Sequence, residues 1–115
     1  MEEADMTDHE IREVILRGVL RDRREYSCAY YKTCHRNRSG LLLLRRHKNA
    51  LEGIVAYEPS SWLERPLEAI ERKHFSRVLA KMEAEGLLIR HKDERERTRN
   101  VELTVEGDQL AQSMS

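Results

Sequence analysis

Between Arg72 and Arg99 nine bases stand among five acids, a local charge of +4 in a chain whose net charge is zero. Those bases fall into two groups. Arg72, Lys73, Arg77 and Lys81 recur at helical spacing with Ser76 among them. Arg90, Lys92, Arg95, Arg97 and Arg99 follow in a run that is almost wholly polar. A second basic block, Lys32 to Lys48, holds six bases, no acid, and both His35 and His47. Acidic stretches cancel the two blocks: −3 over residues 1–25, −4 over 49–71 and −3 from Asn100 onward. A polyanion feels the local field of each block and not the average, which is the chemistry this spacing can do. An Arg-rich surface that merely solvates itself has the same pattern, so charge alone leaves both readings open.

Other chemistry is less well supported by the residue types. Cys28, Cys34 and His35 supply sulfur and nitrogen donors, but Cys-x5-Cys-His matches no common zinc spacing and no second cysteine pair exists. Free structural thiols are the expectation, with no metal and no cofactor; a metal-sensing role is the minor alternative. The five histidines include no His-x3-His pair, and no Gly-rich phosphate loop occurs. Acids lie always amid Arg and Lys, so no catalytic carboxylate pair stands out and an enzyme is the least supported class. Tyr26, Tyr30, Tyr31 and Trp62 can line a pocket for a small-molecule effector, although such aromatics more often fill a core or an interface.

The elements that must position the two basic groups follow from periodicity. With 115 residues and 26 Leu, Ile, Val and Phe, the chain can bury one core without disulfides. Five glycines and two prolines fit a mainly helical fold. The longest pure apolar run is Leu41–Leu44, far short of the roughly 18 residues of a membrane span. The acidic start is unlike a secretory or transit segment, so a cytoplasmic protein with no membrane partner is expected. A first helix should start at Thr7 or Asp8 and run to about Tyr31, with Ile11, Val14, Ile15 and Val19 as one stripe and Tyr26 and Tyr30 extending it. Turn formers at 37–40 precede a second helix expected over Leu41–Tyr57. Trp62–Ala69 reads as a short helix, but Pro66 cannot sit deep inside one and is instead expected as an early residue of the helix after it. That next helix is the clearest: Phe75, Val78, Leu79 and Met82 share a face, opposite Arg77, Ala80 and Lys81, and Gly86 stops it. Leu87–Ile89 and the alternating Val101, Leu103 and Val105 predict a β-hairpin whose tip, Asp93–Arg99, is polar throughout. A short terminal helix should follow Glu106.

The fold class expected is mainly α with a small β-hairpin wing, α+β, in one domain: N-terminal helices over 1–57 as support and a core over 58–115. The run from Phe75 to Arg90 resembles the recognition helix and first wing strand of winged helix-turn-helix regulators, especially the MarR type. Asn100-Val-Glu-Leu-Thr-Val-Glu-Gly107 resembles their second wing strand and the Leu-Thr-x-x-Gly entry to the next helix. The resemblance covers about residues 63–112. Three departures accompany it. The family's wing carries an Asp-x-Arg element where this chain has Arg95-Glu96-Arg97, the positioning helix contains Arg65-Pro66, and the chain ends at Ser115 without the family's long C-terminal dimerising helices.

The resemblance implies a winged helix-turn-helix that binds double-stranded DNA and regulates transcription. Helical side chains reach base edges in the major groove. Arg77 is then placed to contact guanine, with Lys73 and Ser76 on bases or phosphates, Arg72 and Lys81 at the flanks, and Ala80 permitting close approach. Arg90, Lys92, Arg95, Arg97 and Arg99 would act from the wing on the backbone or in the minor groove. The bland alternative is a solvated face with Lys81 paired to Glu85 four residues on. His74 and His91 flank both elements. A homodimer is expected because two copies read two half-sites, with the stripe Ile11, Ile15, Val19, Tyr26 and Tyr30 as the interface and Leu41–Leu44 as its alternative. The competing function is a winged helix that binds protein and no specific DNA.

Overall fold

The first helix, α1 (Asp8–Thr33), starts on a reciprocal cap. The Thr7 hydroxyl accepts from the Glu10 N–H at 3.1 Å, and the Glu10 carboxylate accepts from the Thr7 N–H at 2.8 Å. The computed structural model describes residues 6–33 and 53–114, and side chains over 6–25 and 53–114. Within these, four helices and a three-stranded antiparallel sheet make an α+β domain.

Ile11, Ile15, Leu16, Val19 and Leu20 of α1 are buried. They pack on every other helix and on the sheet, in one cluster with Phe75, Val78, Leu79, Met82, Leu88 and Val101. This corrects the expectation that Ile11, Ile15 and Val19 are a surplus held for a second chain. The apolar faces of the later elements are complete only with that stripe between them. Tyr26 and Tyr30 belong to the helix, but their side chains, like Tyr31, Cys28 and the whole of Cys34, His35 and Leu41–Leu44, lie outside the described residues.

The end of the expected second helix is a strand. β1 (Ile54–Ala56) pairs antiparallel with the strand of residues 98–103, Val55 opposite Val101, and the Tyr57 N–H extends the ladder to the Arg99 carbonyl at 3.0 Å. Gly53, just before it, stands at φ 88°, left-handed backbone that favours glycine. Only Val55 of the three residues is buried, which is the alternation of a strand. The rest of that expectation, residues 41–52, lies outside the described residues.

The short helix also begins earlier than its sequence suggests. α2 (Pro59–Leu63) has Pro59 in its first turn, where the missing N–H costs nothing. It ends at Glu64 in left-handed backbone, φ 58°. Pro66 therefore belongs to the connection and not to the next helix. α3 (Ala69–Ala84) starts after its own capping box, Glu68 with Glu71.

Past α3 the chain turns on Gly86, φ 78°. The Leu87 N–H reaches the Met82 carbonyl at 2.9 Å and the Gly86 N–H reaches that of Glu83 at 3.0 Å, a closed C-terminal cap that aims the chain into the sheet. β2 (Leu88–Lys92) and β3 (Thr98–Leu103) form the hairpin, giving sheet order β1-β3-β2. Thr104 then caps α4 (Val105–Ser113), accepting from the Gly107 N–H at 3.1 Å. The same hydroxyl donates to the Gly86 carbonyl at 2.6 Å, and the Thr104 N–H donates to the Leu87 carbonyl at 3.0 Å. A side chain at Gly107 would collide with that Leu87 carbonyl. The Leu-Thr-x-x-Gly spacing thus locks the start of α4 against the turn that ends α3. No described helix is long and apolar enough to cross a membrane.

Candidate functional site

One side of α3 is fixed by the core. Phe75, Val78, Leu79 and Met82 are buried, so the helix can only turn Lys73, Ser76 and Arg77 outward. Those three line one shallow groove with Ala69, Ile70 and Arg72. Arg72 is exposed but anchored, since its guanidinium donates to the Leu67 carbonyl at 2.8 Å. Ser76 shares a groove with Tyr57, whose pKa burial pushes up to about 12. Ala80 is half-buried and leaves the middle of the face low.

The cations of this region sort by location. On the flank toward α1, the Asp8 carboxylate holds Nζ of Lys81 at 3.0 Å and Nε2 of His74 at 2.6 Å. The hydrogen bond to His74, then that to Lys81, holds the Asp8 carboxyl below its ordinary range. Glu85 pairs with Arg12 at 2.7 Å and Lys81 with Asp8, in place of the Lys81–Glu85 pair of the solvated-face alternative. Arg90 points back into the fold: its N–H and Nε reach the two Glu83 carboxylate oxygens at 3.1 and 2.8 Å. Burial raises the Glu83 pKa, the Arg90 bonds overcome it, and the net shift is downward. Arg90 therefore joins α3 to β2 and is no free cation of the wing. Lys73 and Arg77, by contrast, form no ion pair among the described residues.

The wing has an organiser that the sequence reading passed over. Oδ1 of Asp93 accepts from the Arg95 and Arg97 N–H groups at 2.8 and 2.9 Å, and Oδ2 accepts from Nε of Arg97 and Arg99 at 3.2 and 3.0 Å. The Arg97 backbone bond leads in holding the Asp93 pKa down to about 2. The Asp93 N–H donates to the Arg97 carbonyl at 2.8 Å and Glu96 stands at φ 63°, a three-residue turn closed by a left-handed residue. Both arginines bind Asp93 through Nε. Arg97 and Arg99 side chains are 59% and 61% exposed, enough for a second partner. Arg95 and Lys92 are exposed beside them, around the same shallow depression. The acid of this turn is Asp93, two residues upstream of Arg95. The arginines at two, four and six residues beyond Asp93 were its signal in the sequence.

The remaining candidates that are described serve other contacts. Trp62 serves the core: its ring lies across Gly18, edge-on to Tyr57 with centroids 5.8 Å apart, and its Nε1 donates to buried Asp22 at 2.8 Å. His91 is taken by Glu102 at 2.8 Å. Among the described residues no three His, Cys, Asp or Glu gather as a metal site. Compared with known proteins, the chain matches no family model, no curated protein and no solved structure.

Proposed function

We propose that the chain is a DNA-binding transcriptional regulator of the winged helix-turn-helix type, with α3 in the major groove and the β2–β3 wing on the backbone or in the minor groove. The observation that carries the reading is the sorting of cations. Where α3 meets the rest of the chain, Lys81 and Arg90 have internal acids; on its solvent face, Lys73 and Arg77 have none among the described residues. Unmatched cations around a low, small-residue strip suit a phosphate-flanked groove. The element order and the β1-β3-β2 sheet add support, as does a wing whose three arginines are preset by Asp93. In this reading Lys73, Ser76 and Arg77 face bases, Arg72 and Lys81 the flanking backbone, and Lys92, Arg95, Arg97 and Arg99 the wing contacts. Arg90 serves the fold.

A homodimer remains part of the proposal, since two copies reading half-sites one helical turn apart gain specificity. Its interface is not the Ile11–Val19 stripe. Binding to a random duplex at low salt tests the reading, because a DNA-binding protein binds weakly even to wrong sequences. On a duplex selected from a random pool, Arg77→Ala should cost about 1–3 kcal/mol and relax one base position. Absence of any duplex binding at low salt would favour the protein-binding alternative and discard this one.

A further inference from the structure

We infer that Ile70 is a specificity residue that reads a thymine methyl group, an inference that rests on the DNA-binding reading of α3. Ile70 is 67% exposed, in contrast to Phe75, five residues on, at 1%. Such a residue in the second position of a helix contributes little to the core. It stands instead in register with the proposed base-reading residues: Ile70, Lys73 and Arg77 are spaced i, i+3, i+7 and line one groove. The first turns of a recognition helix are the part that meets base edges. There an aliphatic side chain has one specific partner, the C5 methyl of thymine, which no other standard base carries.

The surroundings permit that approach. The start of α3 carries Glu68 and Glu71, which would repel phosphate if bare. Arg65 binds Glu71 through two nitrogens, at 2.9 and 2.7 Å, and this bond leads in holding the Glu71 pKa down to about 2. The acid is thus matched by a cation on the same edge. The capping box fixes where the helix begins, so the position of Ile70 relative to Arg77 is set by helical geometry. Seven residues rise about 10 Å. That is about three base-pair steps, so the thymine should lie two to three base pairs from the guanine that Arg77 contacts.

The test uses the full chain and duplexes selected by it from a random pool. Each thymine of the selected site is replaced singly by deoxyuridine, which removes only the methyl group, and affinity is read by fluorescence anisotropy at fixed salt. One replacement should weaken wild-type binding about fourfold, the value of one buried methyl-sized group. Ile70→Ala should bind the thymine and deoxyuridine duplexes equally, and Ile70→Val should keep a difference; unchanged melting of both variants shows that the fold is intact. If the protein selects a site but no deoxyuridine matters, or the same loss persists in Ile70→Ala, Ile70 reads no methyl and the inference falls while DNA binding stands. Selection without any consensus overturns it as well, since no base is then read. No binding to any duplex at low salt overturns the DNA reading itself.

Discussion

The seam between α1 and α2 and the tip of the β2–β3 hairpin are each held by one aspartate, and each closes on a glutamate in left-handed backbone. The two regions use these parts differently. In the seam, Asp22 is 5% exposed and accepts from the Trp62 indole N–H forty residues away, with the Trp62 ring laid over Gly18. At the tip, Asp93 accepts four donors within six residues, and its arginine partners face water. The buried carboxylate couples elements distant in sequence, so its loss is felt by the whole fold. The exposed one shapes a local turn and the direction of its arginines. Stability and the presentation of charge are thereby separated in one small chain, and substitutions in the two regions should separate in the same way.

The largest effect is expected on the buried side. Ile15→Glu places an unpaired carboxylate at a site with no exposed surface and should cost more than about 4 kcal/mol, much of the stability of a domain this size. The expected outcome is loss of the cooperative melt by circular dichroism. A soluble monomer with full helical signal would instead return the α1 stripe to an intermolecular interface.

Asp22→Ala comes next. It strands the Trp62 N–H in the core, worth about 2 kcal/mol, or roughly a 10 °C drop in Tm. Asp22→Asn keeps an acceptor oxygen and should lose well under half of that. Equal losses would mean that the charge and not the hydrogen bond holds the seam.

How legible these regions were follows from their physics. The α3 core face, the Gly86 stop, the hairpin and its polar tip were readable because periodicity and turn chemistry are local. Thr7 as a cap was readable for the same reason. The strand at Ile54–Ala56 was not, since three residues fit either period and only their pairing with Val101 decides. Pro59 opens α2, but a proline that ends one element equally begins another, so residue type alone does not set where the short helix starts. The fate of the α1 stripe was hidden because burial within a chain and burial between chains leave the same pattern of side chains. Of the candidate site, Lys73, Ser76 and Arg77 were placed outward as read. That Lys81 and Arg90 have partners depends on Asp8, 73 residues away, and on the helix–strand packing that brings Glu83 to β2.

At the wing the expected effect moves from stability to charge presentation. Asp93→Ala should leave the global melt nearly unchanged but speed amide exchange at Arg95 and Arg97, and weaken binding to all duplexes alike. Replacing Arg95, Arg97 and Arg99 together by Ala should flatten the slope of log affinity against log salt by up to about three. Acid should reproduce the Asp93→Ala effect. The folded pKa, about 2, lies below the ordinary 3.8, so the contribution is whole above the ordinary value and lost as pH falls toward 2. Amide exchange at Arg95 and Arg97 followed down that range reads it, and protection that survives at the acid end would remove Asp93 as organiser.

The smallest effect contrasts Glu64 and Glu96, at φ 58° and 63°. Left-handed backbone costs a residue with a Cβ about 1 kcal/mol, and glycine returns that while adding roughly 0.5 kcal/mol of unfolded-chain freedom. Each substitution by Gly should therefore gain about 0.5 kcal/mol locally. Where the gain appears depends on which part opens with which. Glu64 ends the helix that carries Trp62, and that helix is lost only when the core is lost. Glu64→Gly should accordingly raise Tm by about 2–3 °C. Glu96 sits in a turn without an apolar side chain, free to open before the core does. Glu96→Gly should leave Tm within about 1 °C and instead slow exchange at the Arg97 amide. Equal Tm gains from the two would show that the wing unfolds with the core as one unit, and that its arginines are held by the whole domain and not by Asp93 alone.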